Sequence, residues 1–180
     1  EPRVFLDPNQ LSEDGTVALT GISFSNDGKY VAYTISRSGS DWTEIYVMDA
    51  ATGKQMEDHI EWAKCTGASW KGDGFYYSAY DAPAKGKEFS NVNELHKIYY
   101  HKIGTPQSKD ELIYQNPDYP KRFYSAETSE DERILFVYES GAGRGNNLFM
   151  KDLTKPNAPL VQLTTDFDYQ YAPIEVIGDK

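Results

Sequence analysis

The sequence predicts an all-β chain of about three similar units, each made of four short strands. Three observations carry this. Short alternating apolar and polar segments bounded by turn residues run along the chain, and long helical periodicity is scarce. One strand–turn–strand pattern recurs three times, over residues 23–33, 69–78 and 127–137. The 14 tyrosines suit half-buried strands, where the ring packs and the hydroxyl stays wet.

The units follow in order. In the first, Ser25-Asn26-Asp27-Gly28 turns into the strand Tyr30-Val31-Ala32-Tyr33-Thr34-Ile35. Its second hairpin runs from Glu44-Ile45-Tyr46-Val47-Met48-Asp49 into the turn Ala51-Thr52-Gly53-Lys54. In the second unit, Gly72-Asp73-Gly74 makes the first turn, and Lys97-Ile98-Tyr99-Tyr100-His101-Lys102 leads to Gly104-Thr105-Pro106. Asp-Gly is a strong hairpin signal because glycine tolerates the positive φ that such a turn needs. The third unit has Asp131-Glu132 there, which predicts another turn type or one residue more. Its second hairpin runs from Asn147-Leu148-Phe149-Met150-Lys151-Asp152 to Thr154-Lys155-Pro156-Asn157. Asp27 and Asp73 stand 46 residues apart, and Asp73 and Asp131 stand 58 apart. The first spacing is that of a propeller blade of roughly 40–50 residues. The second requires an insertion, placed near 82–94, where Pro83, Gly86 and polar residues collect.

A lone four-stranded sheet cannot bury both faces, and these strands carry bulky residues on both. Radial stacking supplies each face with a neighbour. The prediction is therefore a β-propeller fragment: the end of a preceding blade over 1–20, blades over 21–66, 67–124 and 125–171, and the start of the next over 172–180. A β-sandwich is the competing fold, but it does not account for the paired-hairpin repeat. The opening residues 3–9 and the closing residues 172–177 read as strands of incomplete neighbours. Closed propellers have about 4–8 blades, so three leave open faces through which the fragment would self-associate.

The net charge of −10 would repel a phosphate backbone, which argues against nucleic acid as a partner. The single cysteine, Cys65, permits no internal disulfide. No apolar run approaches the ~20 residues of a membrane span, and the N-terminus lacks a signal-peptide layout. A soluble cytoplasmic or periplasmic protein follows, and the missing initiator Met points to a longer parent or to processing.

No catalytic centre is legible. The strained G-x-S-x-G elbow is absent, and His59, His96 and His101 stand in no metal spacing, so each reads as structural or surface. The acidic runs at 12–15 and 129–132 lack the oxygen-ligand spacing of a calcium loop. The Gly-rich stretch 141–147 lacks the Lys-Ser/Thr ending and following helix of a phosphate cradle, and reads as a flexible blade loop. Cys65 reads as a buried or pocket-lining group. No metal or cofactor is expected.

Three stretches resemble the prolyl oligopeptidase family: Phe5-Leu6-Asp7-Pro8-Asn9 with the following Leu11-Ser12-Glu13-Asp14-Gly15-Thr16-Val17-Ala18-Leu19, then Ser38-Gly39-Ser40-Asp41-Trp42, then Lys97-Ile98-Tyr99-Tyr100-His101-Lys102-Ile103-Gly104-Thr105. The resemblance spans nearly the whole chain. It implies about three blades of a seven-bladed propeller that gates an α/β-hydrolase domain of the same chain. That domain would carry a Ser-Asp-His triad and cleave short peptides after proline, leaving this segment inactive alone. The resemblance also implies that Cys65 and Phe123 face the substrate cavity, Cys65 standing where relatives often carry Phe. Ordinary packing is the alternative for both. Asp41 is expected either to pair with charge across the domain interface or to order its own loop. Two rivals stand beside this reading: a non-catalytic propeller that binds protein partners, and the propeller of an oligopeptidase B-like peptidase.

Overall fold

The computed structural model describes residues 4–87 and 92–178, so part of the expected 82–94 insertion lies outside the described residues. The first four strands are β1 (Val17–Phe24), β2 (Tyr30–Arg37), β3 (Thr43–Asp49) and β4 (Gln55–Ala63). The next four are β5 (Ser69–Lys71), β6 (Gly74–Ala79), β7 (Lys97–Lys102) and β8 (Glu111–Tyr114). The last four are β9 (Phe123–Thr128), β10 (Ile134–Ser140), β11 (Asn146–Asp152) and β12 (Val161–Gln162). Each set is an antiparallel meander in which strands adjacent in sequence pair in space. The first two meanders touch through the single ladder pair Ala63–Ala79, where the chain crosses from one blade to the next.

The two-faced packing is direct. Val31, Tyr33 and Ile35 face one side of the first blade, under Phe5, Leu6 and Leu11. Ala32, Ile45, Val47 and Ile60 face the other, against Trp70, Phe75 and Tyr77 of the second blade. Tyr76 and Ile98 point away from that seam to meet Tyr124, Leu135 and Val137 of the third. Alternation along each second strand thus sends successive side chains into successive cores. All six residues of β6 are buried for this reason.

The first strands of the blades lie side by side. Ser23 Oγ donates to Ala68 O at 3.0 Å and accepts from Trp70 Nε1 at 3.1 Å. Ser69 Oγ accepts from Thr128 N–H at 2.8 Å, and Thr128 Oγ1 donates to Trp70 O at 2.9 Å. These bonds mark β1, β5 and β9 as the converging inner strands of a propeller.

Five expectations need correction. The turn at Glu132 matches the first one, with no extra residue. Ser129 and Asp131 repeat the bonds of Ser25 and Asp27, and Glu132 takes φ 57 where Gly28 takes φ 70. Glu132 is anchored there because its Oε2 accepts from Gly72 N–H at 2.8 Å, tying the third blade to the second. Gly74 is not the positive-φ residue of its turn; Gly72 is, with φ 58. Gly74 is required by space, because a Cβ would strike His101 O and lie 2.6 Å from the Tyr100 ring. Residues 4–9, the described part of the opening segment, form no strand: Asp7 accepts from Asn9 N–H at 3.0 Å and Pro8 begins a short 3-10 turn over Pro8–Gln10. Residues 172–177 carry no strand either, and have no ladder partner among the described residues. The Gly-rich loop at 141–147 is held by the returning chain, whose Tyr169 O accepts from Asn146 N–H at 3.0 Å. A Cβ on Gly145 would strike the backbone of Phe167.

Candidate cavity-wall site

The residues singled out in the sequence lie where the chain passes from one blade to the next. After β4 the chain is fastened along the end of β6. Tyr80 N–H donates to Trp62 O at 3.1 Å, Lys64 N–H to Ser78 O at 3.3 Å, and Ser78 N–H to Thr66 Oγ1 at 2.9 Å. To make this path Trp62 and Cys65 adopt left-handed φ values of 59 and 53. Each costs about 1–2 kcal/mol in a residue with a Cβ. Cys65 ends up exposed.

Asp41 sits in the β2–β3 loop with its side chain 85% exposed, and Lys64 Nζ approaches it at 3.5 Å. The same ammonium lies 5.1 Å from the centre of the Trp42 ring. Ser40 Oγ accepts from Trp42 N–H at 3.0 Å and so helps to shape this loop. Trp42 makes edge contacts with Trp62 and Tyr80, at 5.6 and 5.9 Å. Tyr80 touches His96 at 4.5 Å, and His96 touches Phe123 at 5.9 Å. A row of rings therefore runs from Asp41 to Phe123, with Lys64 and Cys65 beside it. Phe123 opens β9 and is 38% exposed. Burial and the nearby Cys65 push the Tyr80 hydroxyl up to about 12.

His96 was read from sequence only as structural or surface. It is fully buried between the two passages. Its Nδ1 accepts from Tyr124 N–H at 2.9 Å, which leaves the proton on Nε2 to donate to Lys64 O at 3.0 Å. Desolvation lowers its pKa to about 4; the bond to Lys64 O works against this, and the charge of Lys64 lowers the value by a smaller amount. No motif spacing announces it; the only signal is a lone histidine directly before a strand.

Behind Phe123, the Arg122 guanidinium lies 3.5 Å from the Tyr119 ring centre and donates to the buried Glu139 at 2.8 Å. Tyr124 OH donates to the same Glu139 oxygen at 3.1 Å, and Asn147 Nδ2 donates to its other oxygen at 3.0 Å. A second buried cluster joins Asp58, His101, Asp110 and Tyr77 at the seam of the first two blades. Both ring nitrogens of His96 and of His101 are engaged, so neither is free to serve as a base. Among the described residues no group of three or more His, Cys, Asp or Glu is placed to hold a metal ion. Among them, too, no helix is long and apolar enough to cross a membrane. A separate concavity of about 650 Å³ lies among the three inner turns, lined by Asn26, Asp27, Asp73 and Glu130.

Comparison with known proteins agrees with this architecture. The family model described as "Prolyl oligopeptidase, N-terminal beta-propeller domain" matches residues 1–179. A prolyl endopeptidase of Elizabethkingia meningoseptica is 44% identical over 98% of this chain and 25% of its own length. Prolyl oligopeptidase A of Galerina marginata is 34% identical over 98% of this chain and 27% of its own. A solved structure from a study of two prolyl endopeptidases superposes with a TM-score of 0.85 at 31% identity, covering 98% of this chain and 25% of that one. Prolyl oligopeptidase B of Galerina marginata, bound to a 35-residue hydrolysis and macrocyclization substrate, superposes with a TM-score of 0.83 at 28% identity, over 95% of this chain and 26% of that one. The chain spans about a quarter of the length of the curated relatives it matches. Three stacked meanders, converging inner strands and a family match over almost every residue lead to one conclusion: the chain belongs to the prolyl oligopeptidase family, as part of its N-terminal β-propeller domain.

Proposed function

We propose that this segment is the substrate-facing wall and gate of a serine endopeptidase that cleaves short peptides after proline. The Ser-Asp-His machinery then belongs to an α/β-hydrolase domain of the same chain. The observation that carries the reading is the rim itself: Cys65 and Phe123 stand on two inter-blade passages joined through one buried histidine. Cys65 and Phe123 line the cavity on the side of the residues N-terminal to proline. Asp41, largely exposed beside Lys64, is left to face charge on the hydrolase domain. With both ring nitrogens of His96 and of His101 engaged, the segment acts by shape and exclusion. Alone it self-associates through its uncovered blade faces, where Ile22 and Phe24 are 48% and 54% exposed. The intact protein works as a soluble cytoplasmic or periplasmic peptidase.

The test compares the intact protein with residues 1–180 alone on a chromogenic peptide containing proline and on a folded protein substrate. The intact protein should cleave only the peptide, and the segment should cleave neither. Turnover by the repurified segment, or cleavage of the folded protein, would sink the proposal.

A further inference from the structure

The strained backbone of the rim has a common support. Trp62, Cys65 and Leu95 all take left-handed φ, at 59, 53 and 64, and none is glycine. Such residues persist where surrounding bonds over-determine them. Leu95 N–H donates to Pro120 O at 2.7 Å, fastening the second blade to the passage that leads to Phe123. The next residue, His96, takes Lys64 O with one nitrogen and Tyr124 N–H with the other. One imidazole thus holds both passages, next to Cys65 on one side and Phe123 on the other.

We propose that His96 is a positioning residue for substrate specificity: it sets the spacing of the Cys65 and Phe123 walls, and its protonation releases the wall that carries one of them. This rests on the function proposed above, in which those walls meet the substrate.

The chemistry follows from donor count. A neutral imidazole has one donor and one acceptor, which matches a carbonyl on one side and an N–H on the other. A protonated ring has two donors, so Nδ1–H would confront Tyr124 N–H and that bond would be lost. Among the described residues no carboxylate bonds to the ring to stabilise the cation. The charged and titratable groups around it are Lys64 with its partner Asp41, Tyr80, Lys97 with its partner Asp81, and Tyr124 with Glu139 and Arg122 behind it. Burial disfavours the cation and outweighs the bond to Lys64 O, which favours it; the Lys64 charge adds a smaller push against the cation. With an ordinary value of 6.5 in the released state and about 4 in the held state, release becomes roughly twentyfold more favourable between pH 7 and pH 5.

Two variants separate the roles. His96→Gln offers an amide oxygen to Tyr124 N–H and an amide N–H to Lys64 O, and cannot titrate. His96→Phe fills the space and makes neither bond. In the intact protein, hydrogen exchange of the Tyr124 amide, which is bonded to the ring, is followed by mass spectrometry of the peptide that carries it. At pH 7 this amide should exchange at least about tenfold faster in His96→Phe than in wild type, the scale of one or two lost buried hydrogen bonds. The wild-type rate divided by that of His96→Gln should rise about twentyfold from pH 7 to pH 5, the ratio removing the intrinsic pH dependence of exchange. His96→Phe should also raise KM for peptides extended N-terminal to proline, more than for minimal ones, with kcat held within about twofold. No acceleration of Tyr124 exchange in His96→Phe overturns the proposal. So does a wild-type to Gln ratio that is flat with pH. Absence of post-proline cleavage by the wild-type intact protein would instead overturn the functional reading, while the exchange of the Tyr124 amide still decides the role of His96.

Discussion

Replacing Asp58 with alanine should weaken the seam between the first two blades by about 3–5 kcal/mol, the cost of breaking a buried ion pair from one side. Asp58 lies on β4 and His101 on β7, and their side chains are 1% and 0% exposed, so solvent screens neither. Asp58 Oδ1 accepts from His101 Nε2 at 3.0 Å and from Gly104 N–H at 2.6 Å. His101 Nδ1 donates to Asp110 Oδ1 at 2.7 Å, and Tyr77 OH donates to Asp110 Oδ2 at 2.7 Å. With a carboxylate at each nitrogen the ring is the imidazolium. Burial opposes that charge, but the bonds to Asp110 and then to Asp58 outweigh it and raise the pKa. Alanine at 58 leaves a buried cation with one counter-charge, and a glycine N–H with no acceptor. Asp58→Asn keeps an oxygen for Gly104 and should cost less than alanine.

Hydrogen exchange in the intact protein reads this seam locally, without requiring the whole protein to unfold in one step. At about 1.4 kcal/mol per decade, amides of β4 and β7 should exchange roughly two to three and a half orders of magnitude faster in Asp58→Ala. An acceleration below about tenfold would refute the reasoning, because it would mean that the pair contributes no more than a surface one. The pH profile adds a second check. A raised histidine pKa contributes stability that is fully present below the ordinary 6.5 and is lost as pH rises through the folded value. Wild-type protection at this seam should therefore fall on the alkaline side. In Asp58→Ala, with one carboxylate fewer, the fall should begin at lower pH. An identical alkaline profile in the two proteins would show that His101 is not the titrating group.

Four further substitutions probe other parts of the fold. Gly74→Ala should cost about 1–3 kcal/mol through overpacking against Tyr100 and His101, whereas Gly28→Ala, with open space around it, should cost only about 1–2 kcal/mol of backbone strain; denaturant titration of the intact variants ranks them, and the reverse order would be wrong for this packing. Trp70→Phe removes the 3.1 Å bond to Ser23. It should loosen β1 and β5 by about 1 kcal/mol, seen as faster exchange there with β9 unmoved. Cys65→Phe adds an aromatic wall and should lower KM several-fold for peptides extended N-terminal to proline, at the ~0.5–1.5 kcal/mol scale of an aromatic contact; an unchanged KM would remove Cys65 from the cavity wall.

What the sequence disclosed was the local part of this structure. Ser25, Asp27 and Gly28 form their turn with bonds that reach five residues or fewer, so the repeat could be counted from the residues alone. The third copy was misjudged because the support for Glu132 at positive φ comes from Gly72, 60 residues away. Gly74 was assigned the right turn for the wrong reason, since the crowding that demands glycine comes from β7. The opening residues 3–9 read as a strand, but Asp7-Pro8-Asn9 makes a short turn, and Phe5 and Leu6 pack on the first blade without joining a sheet. Cys65, Phe123 and Asp41 could be singled out only through resemblance, and the histidine connecting two of them could not. His96 meets partners 32 and 28 residues away on opposite sides, and no spacing rule encodes such a meeting.

The two buried histidines show how backbone placement alone selects opposite protonation states. His101 lies between two carboxylates, and the ring that satisfies both is the cation. His96 lies between a carbonyl and an N–H, and the ring that satisfies both is neutral. The first contribution is lost as pH rises through a pKa above 6.5, and the second is eroded as pH falls from 6.5 toward about 4. One seam is therefore alkali-sensitive and the other acid-sensitive, although both are made of the same side chain and lie on one strand and the residue just before it. The acid-sensitive one adjoins Cys65 and Phe123. Acidification should then disturb the rim before it opens the seam between the first two blades, and alkaline pH should act in the reverse order.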